Sequence, residues 1–238
     1  MSDSSASVFP RQPGDQHWRF LWLFLLLLAI FLLTPLLLRY RLLQFALSVL
    51  FLFGLYVSFS AAGFPPRWRR LLATLWVLDV ALLLWSRGTG DPEMAIVLFT
   101  AARVAALLLL VACVTGTLRY VLASPRVTLD TIFAAIVAYQ LAALAFAVLY
   151  HLIATSAPHS FALPPDAPGE EHESLLVRMI YFSFVTIATL GYGDIVPHTP
   201  LTQMIATVEA TLGQFYIAVV IAWLVGLHAA QVHSRRKD

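Results

Sequence analysis

One segment of this chain cannot be regular secondary structure, yet it lies among long apolar runs: Thr186 to Pro197, TIATLGYGDIVP. Gly191 and Gly193, separated by one residue, let the backbone alternate between ordinary and left-handed dihedrals, which other residues reach only at a steric cost. Before it, Leu175 to Ala188 is apolar over about four turns, too short to cross a bilayer. After it, just past Pro197 and Pro200, a long apolar run begins. In a soluble protein a lone Gly-Tyr-Gly would be a turn. Between a short helix and a spanning one, irregular backbone at membrane depth is tolerated only where it lines a watery cavity.

Composition agrees with a membrane setting. The chain is 60% hydrophobic and 12% charged with a mean hydropathy of +0.82, which describes an all-α integral membrane protein rather than a soluble domain. A net charge of +2 is too small to suggest nucleic-acid binding. Cys113 is the only cysteine and lies in an apolar run, so a disulfide or a cysteine metal site within one chain is excluded. Apolar runs predict spans at Trp18–Leu38, Leu42–Ala62, Leu71–Trp85, Met94–Thr117, Leu129–Ala154 and Thr202–Ala230, six with the short helix as a seventh element. The third is the shortest and contains Asp79. The first run is too long for a signal-peptide core and has no cleavage site after it.

The centre of the irregular segment, Thr189, Leu190, Gly191, Tyr192, Gly193 and Asp194, resembles the T-V-G-Y-G signature of potassium channels, where four copies surround one ion pathway. The resemblance implies a selectivity filter in which backbone carbonyls replace the water of K+, with the ion held at Thr189, Leu190, Gly191 and Tyr192. It implies K+ as permeant ion rather than any cofactor. Tyr192 would pack behind the filter. Leu190 stands where valine is commoner, which should affect packing and inactivation more than ion choice. The motif occurs once, so a pore needs four chains, and a homotetramer is the simplest closure. The resemblance covers about residues 128 to 230, a bacterial-type two-helix pore module; over 18 to 125 it rests on span count alone.

The domains that follow are a disordered cytoplasmic leader at 1–17, a four-helix membrane module at 18–125, a pore module at 126–230 and a basic cytoplasmic tail at 231–238. The tail suits a membrane-surface anchor for anionic lipid. With the filter facing outward, both termini are cytoplasmic; Arg67, Arg69, Arg70, Arg119, Arg126, Arg235, Arg236 and Lys237 then fall inside, and only the Arg39 to Arg41 turn disagrees. Four spans before the pore occupy a voltage sensor's position. The fourth has Arg103 in the membrane and Arg119 only at its edge, whereas steep gating uses about three to four charges per subunit. Asp79 and Arg103 read instead as an intramembrane ion pair joining spans three and four, with a remnant sensor as the competing reading.

Within the pore module, Asp166, Glu170, Glu171, Glu173 and Asp194 would form an acidic outer mouth that concentrates cations. His159, His172 and His198 raise pH sensing, and EEHE at 170–173 raises metal binding, although a solvated acidic loop accounts for both. Tyr181 and Phe182 stand where the resembled family often places an aromatic cuff, and Tyr181 could brace Asp194; plain packing is the alternative. Val185 is apolar where some relatives carry an acid. Gly213 is either an inner-helix hinge or a close-packing position. Glu209, one turn earlier, should hydrogen-bond behind the pore helix rather than face lipid, with a protonated form as one option. Gln214, Ile217, Ala218, Ile221 and Val225 share a helical face with Gly213, as a cavity lining with a hydrophobic gate or as ordinary helix contacts.

The expected function is a tetrameric K+-selective channel subunit of the plasma membrane, the inner membrane if the source is bacterial, weakly or not voltage-gated. Its partners are lipid and its own copies, with no nucleic acid and no cytoplasmic ligand-binding domain. An uptake-transporter subunit and a non-conducting regulatory subunit are the alternatives. With no nucleophile, paired carboxylates or phosphate loop, an enzyme is not expected.

Overall fold

The computed structural model describes residues 18–37, 54, 56–57, 66–164 and 172–235. The predicted leader, most of the second span, Asp166, Glu170, Glu171 and the final tail residues lie outside the described residues, as do the side chains of His172 and Glu173. Six helices carry the described chain: α1 Arg19–Leu37, α2 Pro66–Gly88, α3 Pro92–Ala123, α4 Leu129–Ser156, α5 His172–Ile187 and α6 Pro200–Arg235. A strand pair, β1 Phe161–Ala162 and β2 Val196–Pro197, runs antiparallel between them. α3, α4 and Pro200–Leu227 of α6 are long and apolar enough to cross a membrane. Of the second predicted span, Gly54, Tyr56 and Val57 are helical; the Tyr56 ring lies 5.8 Å from Trp76 of α2, and Gly54 abuts Leu26 of α1.

Helix ends follow capping chemistry more closely than hydropathy. α2 starts at Pro66 and takes in Arg67 to Arg70, because proline suits a first helical position and arginine is a good helix former. It therefore extends beyond the apolar run at both ends. α3 is capped by Asp91, whose side chain accepts from the Glu93 N–H at 3.0 Å, with Pro92 next. It continues past Thr117 to Ala123 and ends where Ser124 donates its N–H to the Val121 carbonyl, just before Pro125. α4 is capped by the Thr128 side chain, which accepts from the Thr131 N–H at 3.2 Å.

α4 is the central element and packs against α1, α3, α5 and α6. Its buried face is rich in alanine, with Ala134, Ala135, Ala138, Ala143 and Ala147 all covered, so neighbouring backbones approach closely. Leu109, Leu110 and Cys113 of α3 and Val137 and Leu141 of α4 form the middle of the core. α1 buries Phe20, Leu23 and Leu27 at helical spacing, and its Phe20 ring lies 5.0 Å from Tyr120.

One carboxylate joins three helices at the start of α4. Asp130 is buried and accepts from the Phe20 N–H at 3.0 Å and the Tyr120 hydroxyl at 3.1 Å. It satisfies an N–H that the first turn of α1 leaves without an intrahelical partner. Asp130→Ala would strand both donors in a covered site, at about 1–3 kcal/mol. The purified variant should melt well below wild type in detergent, and Asp130→Asn, which keeps one acceptor oxygen, should fall between them.

Candidate ion pathway

α5 ends at Ile187 and hands the chain to the segment that carries the glycine signature. Thr189 has φ 57°, Gly191 φ 59° and Gly193 φ 81°, so left-handed dihedrals recur at every second residue. Alternation of this kind turns successive peptide groups the same way and lines their oxygens along one side. Glycine reaches it freely, but for a β-branched residue such as Thr189 it costs about 1–3 kcal/mol and persists only where the surroundings over-determine it.

Those surroundings are visible in the hydrogen bonds. The Thr189 N–H donates to the Thr186 carbonyl at 2.9 Å, and the Leu190 and Gly191 N–H groups reach the Val185 carbonyl at 2.9 and 3.4 Å. The amides are thus tied back to α5. The carbonyls of Thr189, Leu190, Gly191 and Tyr192 accept no hydrogen bond from a described residue. The Thr189 hydroxyl accepts from Gln214 Nε2 of α6 at 2.9 Å. A ladder of unengaged carbonyls ending in a held hydroxyl can supply oxygen ligands to a dehydrated cation. The C-terminal end of α5 adds a partial negative charge at the inner end of that ladder.

The predicted supports sort into distinct contacts. Phe182 is buried against Tyr150 and Phe161, with ring centroids 5.1 and 5.4 Å away. Tyr181 is instead stacked on Tyr192 at 6.5 Å and 15°, so the adjacent aromatics meet different partners. The Tyr181 hydroxyl interacts with the Asp194 carboxylate and holds it below the usual carboxylate range, while Asp194 pushes the Tyr181 phenol up. Glu209 is fully buried between α4 and α5, meeting Tyr150 and Ser183.

Gly213 is a point of close approach. A Cβ there would run into the Ile187 carbonyl at the end of α5, and α6 continues unbroken through it. The same carbonyl accepts from the Tyr139 hydroxyl at 2.8 Å. Gln214, Ile217, Ala218, Ile221 and Val225 are all exposed along α6. Further out, Ser160 fixes the exit of the segment: its carbonyl accepts from the His198 N–H at 2.9 Å and the Thr202 hydroxyl at 3.0 Å, beside the β1–β2 pair.

In the other helices, Asp79 of α2 is buried, and Arg103 of α3 is the cation whose charge acts on it. The Arg103 guanidinium carbon lies 4.6 Å from the centre of the Phe99 ring. Neither Asp79 oxygen accepts a hydrogen bond from a described residue.

A family model described as "Ion channel" matches residues 134–227, which take in most of α4, α5, the glycine segment and most of α6. The chain is 31% identical over 99 residues to Protein LctB of Geobacillus stearothermophilus, covering 42% of this chain and 73% of that protein. Protein LctB of Bacillus caldotenax gives the same identity and coverage. This chain belongs to the ion channel family.

Reading the sequence alone missed four supports of the channel's glycine segment: Tyr139, Tyr150, Ser160 and Ser183. Tyr139, Tyr150 and Ser183 act through hydroxyls in apolar helices, where position along the chain does not reveal which neighbour each meets, and Ser160 acts through its backbone carbonyl, which any residue would supply. For the three hydroxyl donors the available signal was that a hydroxyl in an apolar helix must find an acceptor.

Two results are expected from this geometry. Gly213→Ala should cost about 1–3 kcal/mol by overpacking against Ile187, read as a lower melting temperature and less folded channel in size-exclusion chromatography. In Tyr181→Phe, Asp194 loses the hydroxyl that holds it below the usual carboxylate range and should protonate at a higher pH. Inhibition of ion flux by external acid should therefore begin at higher pH in the variant than in wild type.

Proposed function

We propose that this ion channel is a potassium-selective pore formed by four copies of the chain. The observation that carries this reading is the alternation of left-handed residues at Thr189, Gly191 and Gly193 with the intervening carbonyls unengaged. K+ gives up its water only to a column of oxygens of this kind, without formal charge at contact distance. One chain supplies one side of the column. Leu190 and Tyr192 are 58% and 67% exposed in the single chain, and Leu212, Phe215 and Val219 of α6 are uncovered, which suits packing against further copies and lipid.

K+ would bind at Thr189, Leu190, Gly191 and Tyr192, with Asp194 drawing cations to the mouth and Gln214 at the inner end. The gate would lie lower on α6, at Ile221 and Val225. Asp79 and Arg103 act as a structural pair between α2 and α3, and with so few membrane arginines the pore responds weakly to voltage. The channel would sit in the plasma membrane with both termini cytoplasmic.

Purified protein in liposomes should carry K+ flux at least tenfold above Na+ flux. Gly191→Ala, which puts a side chain on a left-handed residue, should abolish it while leaving the assembly intact by size-exclusion chromatography. Equal K+ and Na+ flux through wild type would remove the selectivity claim, and a monomer in lipid would remove the fourfold pore.

A further inference from the structure

Behind the glycine segment, three short contacts run in a chain through Glu209 and Ser183, and they hold too few hydrogens if the Glu209 carboxyl is ionised. The Tyr150 hydroxyl lies 2.6 Å from Glu209 Oε2. Ser183 Oγ meets Glu209 Oε1 and also lies 2.6 Å from the Ala143 carbonyl oxygen. Glu209, Tyr150 and Ser183 are each fully buried, so the polar atoms depend on one another rather than on bulk water.

Counting hydrogens decides the arrangement. A backbone carbonyl has none to give, a serine hydroxyl has one and a tyrosine hydroxyl has one. Three contacts need three hydrogens. An ionised Glu209 would leave the single Ser183 hydrogen to serve a carboxylate and a carbonyl together.

We infer that Glu209 is a proton-binding site, a neutral carboxylic acid that donates from Oε1 to Ser183 Oγ. Ser183 then gives its own hydrogen to the Ala143 carbonyl, and Tyr150 gives its hydrogen to Oε2. The chain Tyr150 to Glu209 to Ser183 to Ala143 has every contact filled and carries no formal charge. It ties α4, α5 and α6 together at one point.

The surroundings suit a neutral group. Tyr150 and Tyr139 of α4 are the titratable side chains that face Glu209, and α5 contributes Ser183, which does not titrate. Among the described residues no cation acts on this carboxyl to offset a buried negative charge. An unpaired carboxylate there would be costly and would compete with the pore for cations. The assignment goes beyond the conduction reading and holds whichever cation the pore selects.

Infrared difference spectroscopy on the full-length protein in lipid at neutral pH tests it. Wild type should show the C=O stretch of a protonated carboxyl, missing in Glu209→Gln and displaced in Tyr150→Phe, which lacks the hydroxyl that donates to Oε2. Glu209→Gln, whose amide offers a donor and an acceptor in the same places, should melt as wild type does, whereas Glu209→Leu should melt far lower. A folded wild-type protein with no protonated-carboxyl band overturns the assignment. So does a band that is unchanged in both Glu209→Gln and Tyr150→Phe. A pore that fails to select K+ leaves these bands unaffected, so the two readings fail separately.

Discussion

Backbone that offers its carbonyls to an ion cannot spend them on its own hydrogen bonds. Helices and sheets are stable because those groups pair internally, and between Thr189 and Tyr192 that pairing is given up. The segment is held from outside instead. Its amides run back to the Val185 and Thr186 carbonyls, its hydroxyl is held by Gln214, and its exit is pinned through Ser160 and the β1–β2 pair. The left-handed Thr189 is the clearest sign that the surroundings, rather than local preference, set this conformation.

The same logic explains the crowding around Ile187. At the last carbonyl of α5, helix geometry leaves an acceptor without an intrahelical donor, and the Tyr139 hydroxyl fills it. Gly213 lets α6 come against that point without a side chain between them. Tyr216 adds a further tie, donating to the Ala135 carbonyl at 2.5 Å and packing its ring 5.4 Å from Tyr139. α6 is thus fixed to the pore helix at Gly213 and to α4 at Tyr216, while the stretch beyond presents exposed Ile221 and Val225.

Outside the pore module, polar groups in apolar helices again mark the joints. Asp130 draws the start of α1 and the end of α3 onto α4, so the N-terminal helices are attached to the outer pore helix by hydrogen bonds as well as by apolar packing. Asp79 and Arg103 lie on α2 and α3, away from Glu209 and its hydroxyl partners, so the two buried carboxyl groups serve different interfaces.

The sequence by itself determined the helical membrane class, the place of the short helix α5 and the irregular glycine segment that follows it. Hydropathy over a span's length, and glycines spaced by two residues, are local properties that need no folded partner to be read. It also narrowed Gly213 to two roles and put Glu209 behind the pore helix, because an acid one turn from a glycine in a spanning helix has few tolerable environments. Only the tertiary structure decided which of the two roles Gly213 has a contact for, since the Ile187 carbonyl it meets is 26 residues away in sequence. It alone separated Tyr181, against Tyr192, from Phe182, against Tyr150 and Phe161, and it alone supplied the hydroxyl partners of Glu209. Hydrogen bonds between helices depend on rotation and depth, which a run of apolar residues leaves open.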